Sequence, residues 1–209
     1  MHIYIFDKPE LVTDEEYKKM LALLPEERRQ KAQRYRNLSD GVLCAACYLL
    51  LRFGLRTDCG IDSFELLIGD NGKPYLAGGE VFFSFSHCKN GCACLISDSE
   101  AGVDIQHPVR LRESVLKRVC SESERALIAA SDDSELTFRG IWCQKEAYLK
   151  MLGVGIATDM KKADTAAKGF PVWHKDCERY SLAACDMAGK SEPQVSYVSL
   201  EELLANFAL

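Results

Sequence analysis

The chain lacks a run of ~18 consecutive apolar residues of the kind that crosses a bilayer as a helix. No transmembrane segment and no membrane partner are therefore expected. Its first residues, Met1-His2-Ile3-Tyr4-Ile5-Phe6-Asp7, lack the basic start and small-residue cleavage site of a secretory signal. They read as the first strand of a cytoplasmic protein. Positive charge is in short supply too: 26 Lys and Arg face 31 Asp and Glu, a net charge of -5. That balance argues against a general nucleic-acid-binding surface. No linker, low-complexity tract or close internal repeat divides the sequence.

What is present is core-forming material. Of 209 residues, 47% are hydrophobic, enough for one large domain or two small ones. Several of the ten cysteines sit inside apolar runs (Cys44, Cys47, Cys92, Cys94, Cys185). Without an export signal they are expected to be reduced and to pack as small hydrophobes. Cys44-Ala45-Ala46-Cys47 does match C-x-x-C, and His87, Cys88, Cys92 and Cys94 cluster locally, so a zinc or redox reading exists. Against it, the first pair lies in a helical run and Cys92-Ala93-Cys94 alternates as a strand does.

Local signals order the chain. Residues 1–7 read as a strand. Thr13 with Glu16 forms a capping box that opens a helix to about Leu24, and Pro25 opens another from Glu26 to Arg36. Arg28, Lys31 and Tyr35 fall on one face of that helix, where a basic stripe can receive a phosphate. Gly41 to Phe53 is a nearly continuous apolar helix, with Gly54 as its end. Strands are expected at Ile61–Leu67, Val81–His87 and Cys92–Ser97, with a breaker-dense turn from Gly69 through Asp70 to Pro74. Ser121 and Glu124 form a second capping box, with a helix to Ala130. A long helix starts at Ser134 and stops near Gly153-Val154-Gly155. Strands around Val172, Tyr180–Cys185 and Val195–Val198 and a closing helix, Glu201–Phe207, complete the chain.

Two pieces carry the chemistry. Trp142-Cys143-Gln144-Lys145-Glu146-Ala147-Tyr148-Leu149-Lys150 contains no Gly or Pro and is rich in helix formers. Glu146 and Lys150, at i and i+4, project from one face. Phe138, Ile141, Trp142, Tyr148 and Leu152 surround them, so the helix is expected to be largely buried, where charges need a partner or an ion. Upstream, Gly102-Val103-Asp104-Ile105-Gln106 alternates as a strand, which puts Asp104 and Gln106 on one face. Gly102 admits another backbone closely. Asp104 and Glu146 together supply two hard oxygen donors suited to Mg2+.

Gly-Val-Asp followed downstream by Trp-x-x-Lys-Glu-Ala-x-x-Lys resembles the signature of the 4'-phosphopantetheinyl transferase superfamily. The resemblance spans nearly the whole chain and fits the long, surfactin-synthetase-activator-like class. It implies an α+β fold of two similar α/β halves about a pseudo-twofold axis, each with a small, mostly antiparallel sheet packed by helices. The halves would be 1–101 and 102–209, the second carrying the metal site. It further implies a monomeric enzyme of the holo-acyl-carrier-protein synthase type. That enzyme moves phosphopantetheine from coenzyme A to a serine of an acyl, peptidyl or polyketide carrier, with Mg2+. Asp104 and Glu146 match the metal carboxylates and Lys150 the diphosphate lysine. Ser86-His87 matches a phosphate-contacting pair, Gly72-Lys73-Pro74 a turn beside the adenine, and Arg28 and Lys31 basic positions near the 3'-phosphate. Glu146, Lys150 and Asp104 are thereby the catalytic set, with Glu146 as ligand first and base second. Lys145, one residue before Glu146, points elsewhere on the helix.

Two positions depart from the family pattern. Gln106 stands where a third acid is usual, a neutral ligand to the metal at best. Leu43 and Cys44 stand where Arg and Thr are frequent near the 3'-phosphate. These departures leave open a second reading, a non-catalytic protein that binds coenzyme A or a carrier. Arg110, Arg112, Lys117, Arg118 and Arg125 form a locally basic segment that suits an acidic carrier, or a solvated helix face.

Overall fold

The computed structural model describes residues 1–69, 71–154, 159–189 and 192–205. The elements, in chain order, begin with β1 (His2–Phe6), α1 (Asp14–Ala22), α2 (Glu26–Gln33), α3 (Leu38–Cys59), β2 (Leu66–Ile68) and β3 (Pro74–Leu76). There follow β4 (Phe82–Cys88), β5 (Gly91–Ser97), β6 (Ala101–Gln106), α4 (Glu113–Val119), α5 (Glu122–Ala130) and α6 (Ser134–Leu152). The chain then runs through β7 (Trp173–Asp176), β8 (Ser181–Asp186), β9 (Gln194–Tyr197) and α7 (Leu200–Ala205). Short 3-10 turns occur at Pro9–Leu11 and Met160–Lys162.

The architecture is α+β. One sheet runs β4-β5-β1-β9, a second β6-β8-β7, and β2 and β3 form a separate hairpin. All pairings are antiparallel except β1 with β9. Because side chains alternate along a strand, β1 sends Tyr4 and Phe6 toward α3 and Ile3 and Ile5 toward Val103, Ile105 and Leu182 of the second sheet. Both faces of β1 are thus buried, which is why its sequence reads as an unbroken apolar run. The second sheet carries α6 on its other side, where Cys143 and Ala147 meet Ala183. The last strand returns to the first sheet, beside β1, and the boundary at 101/102 lies within β6, after its first residue.

Several boundaries differ from those the sequence suggests. Both capping boxes form as expected, at Thr13 and Ser121. Gly54 does not end α3. The helix runs from Leu38 to Cys59 and stops at Gly60, whose φ of 67° supplies the left-handed cap. Gly54 is interior because a Cβ there would lie 2.8 Å from Tyr4 and Ile96 side-chain atoms, so packing outweighs its poor helix propensity. By length and composition alone α3 would pass for a membrane-crossing helix. Its apolar surface is instead buried in the core against β1, β4 and β5.

The second helix ends at Gln33, leaving Tyr35 beyond it, and the strand foreseen over Ile61–Leu67 shrinks to Leu66–Ile68, since only β3 is there to pair with it. Asp70 and Gly155 lie outside the described residues, as does Phe207 of the closing helix.

Candidate active site

The approach of β6 to α6 places the chemistry. A Cβ on Gly102 would fall 1.9 Å from the Ala147 carbonyl oxygen and 2.5 Å from the Met151 amide nitrogen. Only glycine lets the strand lie against the helix backbone, and that contact sets Asp104 of β6 opposite the Glu146–Lys150 face of α6.

Asp104 is 5% exposed. Its Oδ1 accepts from Lys150 Nζ at 2.6 Å and from the Ser86 hydroxyl at 2.7 Å. Its Oδ2 is buried and has no partner. Lys150 also donates to the Val103 carbonyl at 3.2 Å. Burial raises the Glu146 carboxyl above the ordinary range, and the negative charge of Asp104 adds to this while Lys150 opposes it. Two carboxylates that repel each other, one with a buried lone pair left over, match the donor chemistry of a hard divalent cation. Among the described residues no group of three or more His, Cys, Asp or Glu side chains is disposed to hold a metal, so such an ion would rest on this pair plus neutral or substrate oxygens.

Glu146 and Lys150, but not the buried Asp104, line a cavity of about 230 Å3 together with Phe83, Phe85, Leu149 and Pro74. The Gly72-Lys73-Pro74 turn forms its rim. Lys73 donates to the Met151 carbonyl at 3.1 Å and pairs with Glu100, and Asn71 donates to the Gly153 carbonyl at 2.9 Å. These bonds satisfy the carbonyls left open at the C-terminus of α6 and tie the turn to the catalytic helix.

Phe85 also carries the Arg28 guanidinium, which lies over the Tyr48 and Phe85 rings, 5.6 and 5.7 Å from their centres. Lys31 is exposed farther along α2. Ser86 is buried; His87, next on β4, is exposed, and its hydrogen bond with Cys47 raises its pKa. Leu43 is fully buried in the core, whereas Cys44 lies close enough to Arg28 and Lys31 to feel their charge. Gln106 lines a neighbouring depression with Arg110, Arg112 and Trp142, and is not among the side chains around the Glu146–Lys150 cavity.

Lys145 faces away from the cavity and is wholly buried. Its ammonium meets Glu124 at 2.7 Å and donates to the carbonyls of Val119 and Met160 at 3.0 and 2.9 Å. Glu124 in turn accepts from the Ser121 amide and from the amide and hydroxyl of Thr165. The capping box was legible in sequence; its second duty, anchoring Lys145, was not. Ser84, whose hydroxyl accepts from the Val103 amide at 3.1 Å, is a further contributor that local patterns did not reveal.

Comparison with known proteins bears directly on this arrangement. Residues 100–192, which hold Asp104, Glu146 and Lys150, match the family model described as the 4'-phosphopantetheinyl transferase superfamily. The chain is 25% identical to a 4'-phosphopantetheinyl transferase of Bacillus subtilis, and 23% to the transferase Sfp of Bacillus subtilis strain 168. Each match covers 98% of this chain and 100% of the relative. By these matches the chain is similar to the 4'-phosphopantetheinyl transferase superfamily. The near end-to-end coverage of both chains makes it similar to the long, Sfp-like class of that superfamily. It is also 35% identical to the transferase AcpT of Escherichia coli K12, over 58% of this chain and 65% of that protein.

Proposed function

We propose that this protein transfers 4'-phosphopantetheine from coenzyme A to a serine of an apo carrier protein of the acyl, peptidyl or polyketide type, with Mg2+. The observation that carries the reading is the Asp104–Glu146–Lys150 constellation with its unpartnered Oδ2, at the edge of a cavity sized for part of an extended ligand. The match to the family model and the names of the relatives support it.

The chemistry follows from charge. The carrier serine oxygen forms a bond to the phosphorus of the pantetheine phosphate, and the bond from that phosphorus to the bridging oxygen breaks, releasing 3',5'-ADP. A Mg2+ held by Asp104 and Glu146, with Gln106 as a neutral candidate ligand, would supply charge neutralisation for the diphosphate. Lys150 adds a positive charge beside the same oxygens and stabilises the leaving group. Glu146, made more basic by burial and by Asp104, accepts the proton of the attacking serine. Arg28 and Lys31 offer charge to the 3'-phosphate, and Pro74 and Lys73 border the nucleotide end. His87 brings a polar side chain to the phosphate side, while the Ser86 hydroxyl is taken up by Asp104. An acidic carrier fits the basic segment of Arg110, Arg112, Lys117, Arg118 and Arg125.

The test is mass spectrometry of apo carrier proteins incubated with coenzyme A, Mg2+ and this protein. A mass gain of one phosphopantetheine with release of 3',5'-ADP is expected. Intact coenzyme A binding without any gain, across acyl and peptidyl carriers, would point to the binding-protein reading instead.

A further inference from the structure

β4 and β6 lie against each other where the two sheets meet, and the chemistry between them is unusual for two buried strands. Phe83 and Phe85 of β4 pack toward α3, while the alternate residues, Ser84 and Ser86, are buried at 7% exposure each. Both serines spend their hydroxyls on β6. Ser84 accepts from the Val103 amide, and Ser86 donates to Asp104 Oδ1 at 2.7 Å.

We infer that Ser86 is a positioning residue for the Asp104 carboxylate, holding Oδ1 so that Oδ2 alone faces a divalent cation. The inference rests on the transferase reading, in which that cation lies between Asp104 and Glu146. A serine hydroxyl has one proton to donate. Here it points at Asp104, so Ser86 cannot also donate to a phosphate without releasing the carboxylate. With Lys150 as second donor at 2.6 Å, Oδ1 is saturated and the rotation of the carboxylate is fixed. The remaining oxygen is the buried, partnerless one. Outer hydrogen bonds of this kind orient the ligand before the ion arrives, and their loss typically weakens metal binding ~10–100-fold.

The experiment uses Mn2+ as probe ion, free Mn2+ being counted by electron paramagnetic resonance on the full chain with coenzyme A present. Coenzyme A binding without divalent ion is measured separately by calorimetry. Ser86→Ala is expected to weaken Mn2+ binding ~10–100-fold and to leave metal-free coenzyme A binding unchanged. Ser86→Cys, which fills similar volume with a weak donor, is expected to lose as much, and Ser86→Thr to keep most of the affinity. Circular dichroism checks that each variant is folded, and the cysteine and threonine variants carry the test if the alanine variant is not. Unchanged Mn2+ affinity in Ser86→Ala or Ser86→Cys overturns the inference. So does a fall in metal-free coenzyme A binding alone, the signature of a phosphate donor, and so does a wild-type chain that binds no Mn2+. Transfer to an apo carrier, run in parallel, separates the two levels. Ser86-dependent Mn2+ binding with no transfer would overturn the transferase reading and leave this inference standing.

Discussion

At the residue scale, Glu146 sits at a compromise between stability and chemistry. Burial and the Asp104 charge raise its folded-state pKa above its unfolded value. A raised carboxyl binds its proton more tightly in the folded state, so stability falls as pH rises from the ordinary glutamate range through the raised value. Above that range the wild type lacks stability that an uncharged side chain would keep. Glu146→Gln removes the charge while keeping the shape of the side chain. Its Tm at neutral pH should exceed that of the wild type, with the difference shrinking in acid. Transfer should fall by ~10²–10³-fold, the usual loss of a key electrostatic group. Thermal scans at several pH values and single-turnover transfer assays check the two halves. A variant less stable than wild type at neutral pH would mean that Glu146 has a partner stronger than its repulsion from Asp104. In the wild type, the rate should decline as pH falls through the raised value, because the base is then protonated.

At the scale of elements, α6 is fixed in rotation by the buried Lys145–Glu124 pair on one side and by the Gly102 contact on the other. Removing one member of a buried pair leaves a naked charge and typically costs about 3–5 kcal/mol, whereas replacing both by apolar residues is often neutral or stabilising. Lys145→Met should therefore strongly lower the urea midpoint, and Lys145→Met with Glu124→Leu should regain most of it. The regain will be partial to the extent that Ser121 and Thr165 lose their acceptor. If the double variant is no more stable than the single one, those backbone bonds rather than the ion pair hold the region.

This scale also shows what the sequence could carry. Glu146 and Lys150 share a face because helix geometry is local, and Gly102 before a strand announces a close approach. The partner of Lys145 lies in another helix, and the partner of Ser84 on another strand. No periodicity encodes such pairings. Gly54 was misread for the converse reason: a local breaker was overruled by the fit of Tyr4 and Ile96 against it.

At the scale of the whole molecule, the described cysteines are free thiols, and most are buried. Cys44, Cys47, Cys92 and Cys94 pack in the first core, Cys88 packs against the second sheet, Cys185 lies in its strand β8, and Cys143 is on the face of α6 that meets that sheet. Buried thiols of this kind contribute as small hydrophobes. Activity should survive EDTA followed by excess Mg2+, with no requirement for zinc. Metal analysis of protein purified without added metal checks this. Stoichiometric zinc whose removal unfolds the protein would assign the cysteines a different role.

The parallel pairing of β9 with β1, His2 opposite Gln194 and Ile5 opposite Tyr197, has a consequence for synthesis. A strand made among the first residues waits for a neighbour made almost two hundred residues later. Until then β1 has one hydrogen-bonding edge uncovered, with apolar residues on both of its faces, a template for pairing with other chains. Contacts of such sequence separation also slow the final closure. On the ribosome, the sheet would stay unfinished while everything between β1 and β9 is made. Its yield should respond to temperature and to holding chaperones more than its finished stability would suggest.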